Sequence, residues 1–365
     1  MNRNAYSVIT GTGKYIPTRR IRNEDFLANE FFDMNGVRLK KPNQDIIEKF
    51  KEITTIEERR YVTEDLVTSD IAFYSAVEAI ESAKINKEDL DYIIVAHNFG
   101  DVREGNKGID IVPSLAARVK YKLGIENPNT IAYDLPFGCP GWLQGIIQAD
   151  YYIKSGDAKN VLVIGADVLS RVSDPHDVDS MLYADGAGAT ILQAVESETP
   201  VGILTHKTRS DTLLHSEMLY MGESYMLEKR DRGNIYLKMH GRKLYQYALE
   251  QVPQAIKDCL DKSNIHVREI KKVLIHQANG KMDDAILKRL YNLYGISDVP
   301  ADALPMTISW LGNASVATIP TLLDMILKGE LKGHDIRKGD LVVFASVGAG
   351  MNINAMTYKF DRDLD

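Results

Sequence analysis

Cysteine is scarce in this chain, with two in 365 residues, Cys139 and Cys259. Two thiols make neither a disulfide framework nor a paired CxxC zinc site, which fits a reducing compartment and leaves either one available as a nucleophile. Long apolar runs are missing as well. Stretches such as Val161–Ile164 (VLVI) fall far short of the ~20 residues that cross a bilayer. The opening MNRNAYSVITGTGKY lacks the roughly 7 to 15 apolar residues of a secretory signal. A cytoplasmic protein with no membrane span is expected. Positive charge is not in excess: 44 Lys and Arg against 51 Asp and Glu leave a net charge of −7, which argues against bulk nucleic-acid binding. Nucleotide signatures fail too. Gly11-Thr12-Gly13 has no third glycine, and the stretch Gly100 to Gly105 is followed by Asn106 where a phosphate loop needs Lys. No Ser/Gly linker or charge block divides the chain.

What is present is an ordinary globular composition, 44% apolar and 26% charged, long enough to bury about 75% of its unfolded surface. The order of its segments occurs twice. Residues 69–84 carry apolar positions at helical spacing and lead through a polar turn into the apolar run YIIVA; residues 242–264 do the same before KKVLIHQ. Aligning Leu90 with Ile270 matches Ile93-Ile94-Val95 to Val273-Leu274-Ile275, a displacement of 180 residues, and the same displacement matches Val161–Ile164 to Leu341–Phe344. Between these runs, Gly138-Cys139 and Gly312-Asn313 each precede a helical pattern. Two halves, 1–195 and 196–365, are expected, each an α/β layering with mostly parallel strands buried between helices.

The candidate chemistry sits at the helix entries. Cys139 lies in YDLPFGCPGWLQGI, where Gly138 permits a tight turn and Pro140 suits a helix start, so the thiol is placed at a helix N-terminus that favours the thiolate. A small buried residue at a helix entry is the plain alternative; Cys259, on a helical face, takes that reading. His276 ends the apolar run Val273–Ile275, at the C-terminal end of a strand where sites of α/β sheets gather, although a structural loop histidine fits that place too. Asn313 holds in the second half the position that Cys139 holds in the first, against its ordinary role as a turn or N-cap residue. His97, at the end of the first-half strand, is read as structural. Asp174, His176, Asp177 and Asp179 read as a solvated acidic turn rather than a metal site, and HSEMLYMGESYM as either a lid or a packed loop.

With these residues in place, the sequence resembles the β-ketoacyl-acyl-carrier-protein synthases III of the thiolase superfamily. The motifs are GTGKYIP, DLPFGCPGW, ADGAGA at 184–189, MHGRKLYQYA at 239–248, HQANGKM from His276, LGNASVATIP around Asn313, and SVGAG near the end. The resemblance implies a duplicated five-layer αβαβα fold. It implies that Cys139 accepts an acyl group from a thioester and that His276 and Asn313 serve a decarboxylative condensation, stabilising the enolate as neutral donors. It further implies an oxyanion hole from the backbone N–H groups of Cys139 and Ala349, an acyl pocket reaching Val112 and Val347, and docking of an acidic acyl-carrier protein by Lys281, Arg242 and Lys243. Acyl-CoA or an acyl-carrier thioester is the implied substrate, with no tightly bound cofactor and no metal. A homodimer is implied, paired through an edge strand of the first half, matched here to Val161–Gly165. Ile46 stands near the family's tryptophan that packs on coenzyme A, within a region where residues 30–45 look inserted, so the donor is left open. Val112 and Val347 replace bulkier residues, so a primer larger than acetyl is expected unless residues 30–45 and 98–110 refill the space. Three rivals share features with this reading. The order Cys, His, Asn also occurs in papain-like proteases, but these need a CGSCW-like signature absent here. A non-catalytic acyl-binding partner has no use for Cys139. An acyltransferase making esters without decarboxylation has no need of Asn313.

Overall fold

The computed structural model describes residues 5–363. Nine strands form two sheets and two more form a hairpin; they are numbered here in chain order. The first sheet holds β1 (Ala5–Tyr15), β2 (Tyr92–His97), β3 (Ile131–Pro136), β4 (Asn160–Val168) and β5 (Asp185–Glu196), in the order β1-β5-β4-β2-β3. The second holds β6 (Gly202–Ser210), β9 (Ile270–Ile275), β10 (Leu341–Gly348) and β11 (Asn352–Lys359), in the order β6-β11-β10-β9. The hairpin pairs β7 (Leu219–Gly222) with β8 (Tyr236–Met239). β2 and β4 are parallel neighbours in the first sheet, as are their counterparts 180 residues on, β9 and β10, in the second; β3 adds a further parallel pairing to β2, and the pairings through β5 and through β11 are antiparallel. The second sheet lacks a counterpart of β3. Its edge strand β9 instead gives one backbone bond, Val273 N–H to Ala303 O at 2.7 Å, to an irregular segment.

Alternate residues of each strand face different helix layers, which is why the strands read as continuous apolar runs. In the first sheet Ile93, Val95, Leu162 and Ile164 pack outward on α2 (Thr68–Ala83) and α3 (Leu115–Leu123). Ile94, Val161 and Val163 face inward on α4 (Gly141–Ser155) and α7 (Thr318–Leu327), which meet Leu274, Val342 and Phe344 of the second sheet on their other side. Val273, Ile275, Val343 and Ala345 pack on α5 (Gly241–Ser263) and α6 (Gly280–Asn292). The result is the five-layer αβαβα arrangement. Gly11 and Gly13 belong to this packing and not to any phosphate loop: a Cβ on either would fall within 2.6 Å of α2 atoms.

One expectation is corrected here. Val161–Gly165 is not at an edge, because β4 lies between β5 and β2; the half-exposed edge is β3. Pro320 is the third residue of α7, where no intrahelical N–H bond is lost. The segment 98–110 folds back as its own small hairpin, Asp101–Arg103 with Asn106–Asp110, held by Arg118 to Asp101 and Asp110.

Candidate active site

Cys139, His276 and Asn313 come together on the wall of one cavity of 810 Å³. Cys139 arrives on the turn between β3 and α4. Gly138 has φ +69°, and a Cβ there would lie 2.9 Å from the backbone N of Ala349. Gly348 is pressed equally close, its missing Cβ 2.6 Å from the backbone N of Cys139. The two backbones therefore touch beside the thiol, and Gly138, Cys139 and Ala349 all line the cavity. The helix entry stands where the sequence placed it, yet the thiol's ionisation runs against the expectation. Cys139 keeps partial exposure along the cavity, but burial pushes its thiol up to about 11; the Ser315 hydroxyl, donating to Sγ at 3.3 Å, pulls the other way, and Asp167 adds to the rise. Desolvation is the largest influence on the thiol.

His276 follows the last residue of β9 and is tied to β10 by its N–H bond to Ala345 O at 3.0 Å. Burial lowers its imidazole to about 4, opposed by the backbone of Ser315, so the ring is neutral at neutral pH. Gln277 beside it anchors the facing loop: its Oε1 accepts from the N–H groups of Thr307 and Ile308 at 2.9 and 3.0 Å, and its Nε2 donates to Pro305 O at 2.9 Å. Asn279 caps α6 by accepting from Met282 N–H at 3.1 Å. Asn313 lies two residues before a short 3-10 turn, Ser315–Ala317, that leads into α7, which parallels Cys139 before α4. Its backbone is clamped on both sides, N–H to Leu182 O at 2.9 Å and O from Ala184 N–H at 2.8 Å. Its Oδ1 accepts from Ser315 N–H at 2.9 Å, so the group it retains for a ligand is the Nδ2 donor.

Sequence reasoning missed the support behind the thiol. Asn98 Nδ2 donates to Ser315 Oγ at 2.9 Å and to Asp167 Oδ2 at 2.6 Å, while Asn98 N–H reaches Asp167 Oδ1 at 2.8 Å. Asp167 is buried, and desolvation raises it to about 6 despite these bonds. This network joins residues from both halves, and no local pattern announces it. His97 has a structural contact: its Nε2 lies 3.1 Å from Asp134, whose carboxylate accepts from the first N–H groups of α3.

The remaining cavity wall is largely apolar. α1 (Asn43–Thr54) contributes Ile46, Phe50 and Ile53; the β7–β8 hairpin adds Leu219, Met221, Leu237 and Met239; α5 adds Leu244, Tyr245 and Ala248. HSEMLYMGESYM is thus in part a packed wall of the cavity. Val347 lines it, as expected. Val112 does not: it is 83% exposed, on the surface segment between the small hairpin and α3. Of the basic residues, Arg242 lines the cavity and is exposed, as are Lys41 and Lys49, whereas Lys243 and Lys281 are exposed outside it. Among the described residues, only Asn98 and Phe99 of the segment 98–110 reach the cavity, and only Lys41 and Asp45 of the segment 30–45.

The acidic turn also departs from expectation. It is not solvated: Lys238 of β8, 1% exposed, places its ammonium 2.6 Å from Asp174 and 3.1 Å from Asp177. His176 turns away and bonds Glu30 O at 2.9 Å. Among the described residues no cluster of His, Cys, Asp and Glu is arranged to hold a metal ion, and no helix is long and apolar enough to cross a membrane.

A nucleophile candidate, two neutral donors and a backbone pocket at the entrance to an apolar cavity suit acyl-thioester chemistry, and similarity to known proteins points the same way. Residues 133–212 match the family model of 3-oxoacyl-[acyl-carrier-protein] synthase III, and residues 260–360 match the model of its C-terminal part. A β-ketoacyl-[acyl-carrier-protein] synthase III of Vibrio parahaemolyticus is 33% identical over 97% of this chain and 100% of its own length; one of Staphylococcus aureus is 31% identical over 97% and 99%. Among solved structures, the 3-oxoacyl-[acyl-carrier-protein] synthase III of Aquifex aeolicus superposes with a TM-score of 0.78 at 28% identity, covering 97% of this chain and 100% of that one. The Pseudomonas aeruginosa enzyme gives 0.80 at 25%, covering 99% and 100%. With this identity held over nearly its whole length and the thiolase-type fold in hand, the chain belongs to the β-ketoacyl-acyl-carrier-protein synthase III family.

Proposed function

We propose that this protein is an acyltransferase that loads a primer on Cys139 and condenses it with a malonyl thioester, the opening step of fatty acid or polyketide-type chain synthesis. The observation that carries the reading is the meeting of Cys139, His276 and Asn313 on one cavity wall beside the backbone of Ala349. In the first half-reaction the thiol loses its proton, Sγ attacks the donor thioester carbonyl, and the donor thiol leaves with a proton. The N–H groups of Cys139 and Ala349 hold the oxyanion. In the second, the malonyl carbon–carboxylate bond breaks, CO₂ departs, and the electron pair becomes an enolate whose oxygen accepts from His276 and Asn313 Nδ2. The enolate carbon then attacks the acyl thioester, the carbon–sulfur bond breaks, and Cys139 is restored as the 3-oxoacyl thioester leaves. Burial keeps His276 neutral, so it donates to the enolate without being an acid strong enough to protonate the attacking carbon.

The donor and acceptor thioesters are read as acyl-CoA or acyl-carrier protein. Lys41, Lys49 and Arg242 at the exposed rim suit the phosphates and acidic surface of either, and Ile46 offers that rim an aliphatic rather than an aromatic face. A cavity of 810 Å³ stands near the upper end of the roughly 300–1,000 Å³ usual for ligand pockets, which supports a primer longer than acetyl although Val112 takes no part in its own chain's cavity. A homodimer is read from the half-exposed edge β3, with Ile131 49% exposed, because an uncovered strand edge favours pairing with a second copy. Intact-protein mass after exposure to acetyl, butyryl, hexanoyl and octanoyl thioesters of CoA and carrier protein tests the reading. The expected result is an adduct on the Cys139 peptide whose rate rises with chain length. The same adduct on Cys139→Ala overturns the assignment.

A further inference from the structure

Two polar groups in the acyl cavity have no task in this chemistry. Tyr183 is 4% exposed and packs in the apolar cluster of Phe50, Leu169 and Leu182, yet its hydroxyl has no hydrogen-bond partner among the described residues. Such an orphan is costly, and Phe would fill the same space without it. Nor is the backbone free to carry the ring elsewhere, because Leu182 O and Ala184 N–H on either side are bonded to the backbone of Asn313. Asp179, on the 3-10 turn Val178–Leu182 that leads into Tyr183, lines the same cavity. Lys238 is spent on Asp174 and Asp177, and the part-buried Asp179, whose backbone N–H donates to Asp177 Oδ1, has no ion pair with it. Burial, then Asp177, push the Asp179 carboxyl up to about 7 against the pull of Lys238. The cavity therefore sets an unused phenol donor and a carboxyl acceptor in an apolar wall that also holds Cys139.

Asp179 is the foremost charge acting on the Tyr183 phenol, and a donor near an acceptor is the complement of a group that does both, an alcohol; a ketone would leave the carboxyl idle, and a plain alkyl chain would leave both idle. We propose that Tyr183 and Asp179 form a polar subsite that selects primers carrying a hydroxyl on the acyl chain, the phenol donating to the hydroxyl oxygen and the Asp179 carboxyl accepting from the hydroxyl hydrogen. The proposal rests on the reading of Cys139 as acyl acceptor and names the substrate class of that site. A site built around a substrate hydroxyl discriminates against the analogue lacking it, because its own polar groups are then left dry and unpaired.

The test compares acylation of Cys139, by intact mass, with octanoyl, 3-hydroxyoctanoyl, 5-hydroxyoctanoyl and 7-hydroxyoctanoyl pantetheine thioesters. At least one hydroxy isomer is expected to exceed octanoyl by about tenfold or more in kcat/KM. In Tyr183→Phe that ratio falls to within about twofold of unity, and in Asp179→Asn it shrinks in the same direction. Each ratio is taken within one protein, so loss of folded material cancels. Octanoyl matching or outrunning every hydroxy isomer, or a ratio that survives Tyr183→Phe, overturns the subsite while leaving the acyl-enzyme intact. Failure of all four thioesters to label Cys139 overturns the parent reading and the subsite with it.

Discussion

The hydroxyl of Ser315 donates to Sγ of Cys139 at 3.3 Å, and Ser315 holds that position with φ at +52°, a left-handed conformation that costs a serine what it would not cost a glycine. Asn98 fixes the hydroxyl from behind through its 2.9 Å bond. A hydrogen bond to a sulfur that must carry charge during acyl transfer contributes about 1.5–3 kcal/mol. Ser315→Ala and Ser315→Gly are therefore both expected to slow single-turnover acylation by about 10- to 100-fold. Ser315→Gly, relieved of the backbone strain, should unfold at no lower denaturant concentration than Ser315→Ala. Acylation at the natural rate by either variant removes the serine from the reaction.

Because burial pushes the Cys139 thiol up to about 11, the thiolate is a minor species throughout the neutral range. Only the thiolate reacts, so alkylation by iodoacetamide should climb close to tenfold per pH unit from pH 7 to 10. A plateau below pH 9 would show that the helix entry outweighs desolvation after all.

Asn313→Ala and His276→Ala should each reduce malonyl decarboxylation by about 10²–10³, the usual loss on removing one oxyanion donor, while acylation falls far less. His276 is held near 4, so its protonation is complete only well below that value, and decarboxylation should not lose a proton-linked step between pH 5.5 and 8. Stopped single-turnover assays of the two half-reactions decide this. An inflection near 6.5 assigned to His276 would mean that the ring is not desolvated.

Lys238→Met removes a buried cation from between Asp174 and Asp177 and leaves their carboxylates without it. Breaking a buried pair from one side costs about 3–5 kcal/mol, so the urea midpoint should fall sharply and Lys238→Arg should restore only part of it. An unchanged midpoint would show that the cluster is water-filled in solution.

A dimer through β3 predicts sedimentation at twice 40.9 kDa at micromolar concentration. Ile131→Lys, placing charge on that edge, should shift the protein toward the single-chain mass.

The repeat was legible because strands buried on both faces leave unbroken runs such as YIIVA and KKVLI, and a duplicated core keeps their spacing. Cys139, His276 and Asn313 were legible because each sits in a local motif at a strand or helix end. Ser315, Asn98 and Asp167 were not, since their value arises only when segments more than 200 residues apart meet, as Asn98 and Ser315 do. Nothing in its local sequence marks Lys238 as buried, because its burial arises only when Asp174 and Asp177 fold over it. Val112 is the opposite case: it lies within a family motif, yet in the single chain it stands on the surface and outside that chain's own cavity. Val161–Gly165 misled because an apolar run says that a strand is covered on its faces and nothing about whether its edge has a neighbour.

Gly138 and Gly348 let two strands of backbone lie against each other with no side chain between them. The oxyanion pocket proposed above would consequently be framed by peptide groups, whose positions do not depend on which side chains line the cavity. Substitutions across α1, α5 and the β7–β8 hairpin can reshape what the enzyme accepts while the reacting carbonyl meets the same two N–H groups. A lineage built this way is free to explore new primers one side chain at a time, since a change of taste need not begin with a loss of chemistry.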